Sequence, residues 1–127
     1  MNITINNKSK QPIYEQIKNQ IKEGIIKNNI DEKTPLPSIR KLSKDIETSV
    51  MTVKKAYDEL LEEGFIITIS GKGSYINKNS IKKVRNEKIN EIEQLLSKAI
   101  DIAKNINITK EELLNHYLKL ENKKRGN

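Results

Sequence analysis

The feature that most constrains this chain is a change of hydrophobic period at Gly64. Before it, Val50, Val53, Tyr57, Leu60 and Leu61 recur at helical spacing, which predicts a helix over about 50–62 that Gly64 stops. After it, Phe65-Ile66-Ile67-Thr68-Ile69 reads as a strand, Ser70-Gly71-Lys72-Gly73 as a turn and Ser74-Tyr75-Ile76 as a returning strand. Upstream, Ile39, Leu42 and Ile46 give a short helix over 38–46 with Ser38 as its N-cap, and Thr48-Ser49 cap the next helix three or four residues later. Two short helices joined so tightly form a helix-turn-helix, and the hairpin behind them is a wing.

Around this unit the chain is helical. Pro12 fits a first helical position, and Ile13, Ile17, Ile21 and Ile25 mark a first helix over about 12–28. Residues 1–10 carry only a brief alternation at Ile3 and Ile5 and are left unassigned. Beyond a polar linker at 77–80, one helix over about 81–106 would span roughly 39 Å. Asn107 breaks it, Thr109 and Glu112 form a capping box with Ile108 placed to staple against Leu113, and a last helix covers about 110–122. The end, Lys123 to Asn127, is expected to fray. The expected fold is therefore mostly α with a small β-hairpin wing: a winged helix-turn-helix over 1–78 and a two-helix tail over 79–127.

Composition narrows the chemistry. In 127 residues there is no Cys and one His, His116, which leaves no thiolate nucleophile, no disulfide and no metal cluster, so no cofactor is expected. No apolar run approaches the roughly 18 residues of a membrane span, and a cytoplasmic setting is expected. No nucleophile–base pair or phosphate-cradling loop is present, so catalysis is not expected. The 24 basic residues exceed the 17 acidic ones by seven, which favours a polyanionic partner. The excess is spread along the chain, so local placement has to identify that partner.

That placement is informative on the third helix. A helical wheel puts Val50, Val53, Tyr57, Leu60 and Leu61 on the buried side, Met51, Thr52, Lys55, Asp58, Glu59 and Glu62 on the exposed side, and Lys54 at the boundary. The leading turns offer Ser49, Thr52, Lys54 and Lys55, while the trailing turns offer Asp58, Glu59, Glu62 and Glu63. This order opposes the helix dipole, worth about 0.3–1 kcal/mol per group, but suits a helix that enters a major groove by its N-terminus. Arg40 and Lys41 lie at the start of the preceding helix, and Lys72 sits between two glycines at the wing tip. Met51 either touches a thymine methyl or covers the turn.

From Pro12-Ile13-Tyr14-Glu15-Gln16-Ile17 through Leu36-Pro37-Ser38-Ile39-Arg40, Thr52-Val53, Ala56-Tyr57 and Glu63-Gly64-Phe65 to Gly71-Lys72-Gly73-Ser74-Tyr75-Ile76, the sequence resembles the winged helix-turn-helix of GntR-type bacterial transcription regulators. The short tail resembles the YtrA-like subfamily, whose members are homodimeric regulators. The resemblance implies that Arg40 contacts double-stranded DNA, that Ser49, Met51, Thr52 and Lys54 approach bases or phosphates, and that Gly71 with its neighbours Ser70, Lys72 and Gly73 enters the minor groove; Ser38, Lys41, Val50 and Lys55, at the starts of the same two helices, complete the expected DNA-binding surface. Two positions depart from the pattern: Glu47 replaces the usual Gly or Asn of the turn, and Val50 stands where many members carry a guanine-reading Arg.

The tail carries more apolar surface than one long and one short helix can bury on each other. Ile89, Ile92, Leu96, Ala99, Ala103 and Ile106, with Leu113, Tyr117 and Leu120, are therefore expected to dimerise the chain. A two-fold dimer would require an inverted-repeat target. Two helices leave little room for the roughly 300 Å³ a metabolite occupies, and the sequence names no effector. The competing reading is a winged-helix adaptor that binds protein instead of DNA.

Overall fold

The computed structural model describes residues 2–125 and divides the chain into two compact units, 1–86 and 87–127. The first contains α1 (Ile13–Lys27), α2 (Ile39–Asp45), α3 (Val50–Glu62) and the antiparallel pair β1 (Ile66–Ile69) and β2 (Gly73–Ile76), which pair in the register Ile66 to Ile76 through Ile69 to Gly73. α4 (Ile81–Asn105) begins in this unit and continues into the second, which α5 (Lys110–Arg125) completes. The element order is the expected one. Pro12 stands at the N-cap of α1 with extended backbone instead of in its first turn. Residues 78–80 form a 3-10 turn capped by the Asn77 side chain, where a plain linker was expected. α5 runs on to Arg125 instead of ending near 122; Gly126 and Asn127, expected to fray, lie outside the described residues.

Four helix ends share one device. At each, a residue in the left-handed region lets the next N–H bond back to the carbonyl five residues earlier: Asn29 to Gly24, Thr48 to Ser43, Phe65 to Leu60 and Ile108 to Ala103. This is the Schellman motif, and it favours Gly or Asn at the left-handed position. Asn28, Gly64 and Asn107 satisfy that preference; Glu47, at φ 54°, does not. A left-handed L-residue without a local side-chain bond is strained by roughly 1 kcal/mol. Glu47→Gly should therefore raise stability by about 0.5–1 kcal/mol, read as a higher Tm in a thermal melt. An unchanged Tm would show that this backbone carries no strain.

The core of the first unit is made of Ile17, Ile21 and Ile25 from α1, Leu42 from α2, Val53, Ala56, Tyr57 and Leu60 from α3, and Phe65, Ile66, Ile76 and Val84. α1 and α3 run parallel across it. Lys55 Nζ lies 4.2 Å from the Tyr14 ring centroid; one turn on, Lys18 Nζ bonds Glu59 at 2.9 Å and Glu63 at 2.6 Å, and Lys22 reaches Glu63 at 3.8 Å. Burial alone would lower the Lys18 pKa, but hydrogen bonds to Glu63 and Glu59 outweigh it and raise it above the ordinary lysine value. The Lys18 hydrogen bond holds the Glu59 carboxyl below its usual range.

The sign of the pH dependence follows. A depressed Glu59 stabilises the fold above the ordinary glutamate pKa of about 4.3, and that stability is lost as pH falls through its lower folded value. Lys18 contributes below its ordinary pKa and loses its contribution only at strongly alkaline pH. Lys18→Met should thus shrink the Tm difference between pH 7 and pH 3; an unaltered difference would mean the pair is not linked to folding.

Residues 2–11, unassigned from the sequence, dock on α1 through two glutamines that imitate peptide groups. Gln20 Oε1 accepts the Thr4 N–H and its Nε2 donates to the Thr4 carbonyl; Gln16 does the same with Asn6 and also donates to the Gln11 carbonyl. Ile3 and Ile5 pack against the core behind them.

Candidate nucleic-acid interface

The helix-turn-helix is set by two serine caps. Ser38 Oγ accepts the Lys41 N–H at 3.1 Å and starts α2; Ser49 Oγ accepts the Thr52 N–H at 3.0 Å and starts α3. The Tyr57 hydroxyl, whose pKa burial pushes well above its ordinary value, donates to the Pro37 carbonyl at 2.7 Å and fixes α3 against the entrance to α2. The Leu36 N–H bonds the Ser74 carbonyl at 2.7 Å, joining the same entrance to β2 of the wing. At the wing's base, Asn77 donates its N–H to the Phe65 carbonyl and its side-chain amide to the Gly64 carbonyl. The two caps were legible in the sequence; the bonds of Tyr57, Leu36 and Asn77 were not. Tyr57 was read only as an apolar face residue, and its hydroxyl gives no hint of which carbonyl it will meet.

The wing tip is a tight turn closed by the Lys72 N–H on the Ile69 carbonyl at 2.9 Å. Gly71 sits third in that turn at φ 76°, where glycine is favoured, and Gly73 follows at φ 105°. Ser70, Gly71, Lys72 and Gly73 are all exposed.

The expected DNA-facing residues lie on the surface. Ser38, Arg40, Lys41, Ser49, Met51, Lys54 and Lys55 are exposed and Thr52 is half-buried. The wheel placed Val50 and Leu61 on the buried side, and the structure corrects both: they are 41% and 44% exposed. The buried arc of α3 centres on Val53, Ala56, Tyr57 and Leu60, so Val50 and Leu61 fall on its edge and no element crosses over them. Lys55 points to the flank shared with α1, over Tyr14.

The charges are partly engaged. Lys41 pairs with Asp45 at 2.9 Å and Lys54 with Asp58 at 2.6 Å, both exposed i, i+4 pairs. Such pairs are worth about 0–1 kcal/mol, so a phosphate can displace the carboxylate. Arg40 and Lys72 have no ion pair with another described residue. The acidic trailing end of α3, read from the sequence as repelling a polyanion, also anchors α1 through Glu59 and Glu63.

In the second unit, no residue of α5 is buried. Ile92, Leu95, Leu96, Ile102, Ile106, Leu114, Tyr117, Leu118 and Leu120 are half exposed or more, and Ile89 is 37% exposed; Ala99 is half-buried and Leu113 intermediate. Ala103 departs from the expected free stripe: at 5% exposure it is already buried by its own chain, and its carbonyl accepts the Ile108 N–H at the α4–α5 turn. The capping box is present in part, with the Thr109 hydroxyl accepting the Glu112 N–H at 3.2 Å. Among the described residues no cluster of His, Cys, Asp or Glu could hold a metal ion, and no helix is long and apolar enough to cross a membrane.

Comparison with known proteins agrees with this geometry. Residues 13–76 match the family described as bacterial regulatory proteins, gntR family. The HTH-type transcriptional repressor YtrA of Bacillus subtilis is 40% identical over 98 residues, 77% of this chain and 75% of that protein. A GntR family transcriptional regulator from Listeria monocytogenes superposes with a TM-score of 0.71 at 27% identity, over 91% of this chain and 98% of that one. The fold is also that of the DNA-binding domain of AraR in complex with an operator, at a TM-score of 0.51 and 23% identity over 58% of this chain and 94% of that one. With the serine-capped helix pair, the wing and this match over half its length, the chain belongs to the gntR family of bacterial regulatory proteins, DNA-binding transcriptional regulators built on a winged helix-turn-helix.

Proposed function

We propose that this protein is a cytoplasmic repressor that binds an inverted-repeat operator as a homodimer, with α3 in the major groove and the wing at the minor groove. The observation that carries the reading is the exposed edge formed by the start of α3, to which Arg40 and Lys72 are joined through the Leu36–Ser74 and Tyr57–Pro37 bonds. Repression is the activity named for the Bacillus relative, and an operator is the partner named for AraR. Dimerisation is supported by the apolar side chains that α4 and α5 leave exposed, among them Ile92, Leu96, Ile106, Tyr117 and Leu120. With two-fold symmetry the half-sites would lie about one helical turn, roughly 34 Å, apart.

The test is titration of the DNA upstream of the protein's own gene at several salt concentrations. Affinity should fall steeply with salt, and Arg40→Ala and Lys72→Ala should each weaken binding several-fold and flatten the log–log salt slope by about 0.9, one phosphate contact. Salt-insensitive binding, or capture of a protein without any DNA affinity, would favour the adaptor reading.

A further inference from the structure

The first turn of α3 keeps its polar groups to itself. Ser49 Oγ accepts the Thr52 N–H and lies 2.7 Å from Thr52 Oγ1, so one hydroxyl donates to the other beside the cap. Lys54 turns its ammonium one helical turn onward to Asp58, and Lys55 turns to Tyr14. The side chains exposed between these groups at the leading edge are apolar: Met51 at 72% exposure and Val50 at 41%. A hydrophobic pair at the tip of a helix otherwise ringed by Arg40, Lys41 and Lys54 is matched to a polyanion that offers an apolar group at some of its base edges.

Resting on the proposal that the chain binds duplex DNA, we infer that Val50 and Met51 form an apolar step that receives thymine C5-methyl groups, so that α3 selects A·T pairs in each half-site. In the major groove guanine, adenine and cytosine present donors and acceptors, and only thymine adds a methyl group. The bidentate readers of guanine and adenine are Arg or Lys and Asn or Gln; none stands at residues 49–53. A guanine or cytosine edge set against Val50 and Met51 would lose its water and gain no hydrogen bond, which disfavours it. A methyl set there is removed from water at no such loss.

The experiment selects duplexes from a random-sequence library with the full chain, then replaces each half-site thymine in turn by deoxyuracil, which deletes the methyl and leaves the hydrogen-bonding edge unchanged. The selected half-site should contain thymine, and one or two replacements should weaken binding about three- to five-fold each, the value of burying one methyl group. In Val50→Ala and Met51→Ala proteins the same replacement should have little effect. The inference is overturned if selected half-sites lack thymine, if deoxyuracil leaves the affinity of the unaltered protein unchanged, or if the alanine proteins keep the full penalty. The measurement on the unaltered protein stands whether or not the variants fold. Failure to enrich any duplex would instead remove the DNA-binding proposal beneath it.

Discussion

A chain carrying lysine at both Leu96 and Ile100 should run as a monomer and bind a duplex with two half-sites at least 10²-fold more weakly than the unaltered protein. Leu96 is 52% exposed and Ile100 42%, and neither belongs to the buried core, so the substitution costs little intrachain packing. Four ammonium groups brought together at a two-fold interface would be desolvated without partners, which costs far more than the lost apolar contact. The DNA effect follows from linkage of two modules: in a dimer the second half-site is engaged at millimolar effective concentration, and losing that linkage forfeits 10²–10⁴ in avidity. Light scattering and titration against one-half-site and two-half-site duplexes check this together. Unequal loss, large on two half-sites and small on one, is the expected pattern. A variant that remains dimeric would place the interface elsewhere, and equal loss on both duplexes would mean that the tail acts through something other than pairing.

Phe65→Ala should destabilise the first unit by about 3–5 kcal/mol, a large part of the 5–15 kcal/mol available to a typical domain. Phe65 is fully buried, and its ring lies under Lys22 Nζ at 4.5 Å and Lys83 Nζ at 4.8 Å from the centroid. Lys83 also donates to the Glu63 carbonyl at the end of α3. Truncation would open a cavity, expose two lysine stems that now cover the ring, and loosen the Gly64 turn that aims the wing. Its backbone bonds to Leu60 and Asn77 would persist, so Phe65→Leu should recover much of the loss. Denaturant melts read the stability directly. A loss below 1 kcal/mol would mean that the ring is not the keystone of the turn.

Glu47 illustrates how a local departure from a sequence pattern can be given a structural meaning. The missing Gly or Asn is visible in the sequence, and the structure shows the residue held at a left-handed φ by the same helix-end motif as Asn28, Gly64 and Asn107. Val50 shows the opposite case. A wheel assigns it to the buried side by angle, yet angle says nothing about whether another element arrives to bury it, and here none does. Ala103 errs in the other direction, taken as free and found covered.

The chain's own order of residues determined its helices, their stops, the two serine caps and the hairpin, because those features depend on bonds spanning at most about ten positions and on side-chain period. Only the tertiary structure decided that Gln16 and Gln20 strap the N-terminal arm to α1, that Lys18 reaches Glu59 and Glu63, that Tyr57 finds Pro37, and that Val50 and α5 stay bare. Each of those outcomes needs partners brought together from separate segments, and the approach of one packed element to another is fixed by the fold as a whole.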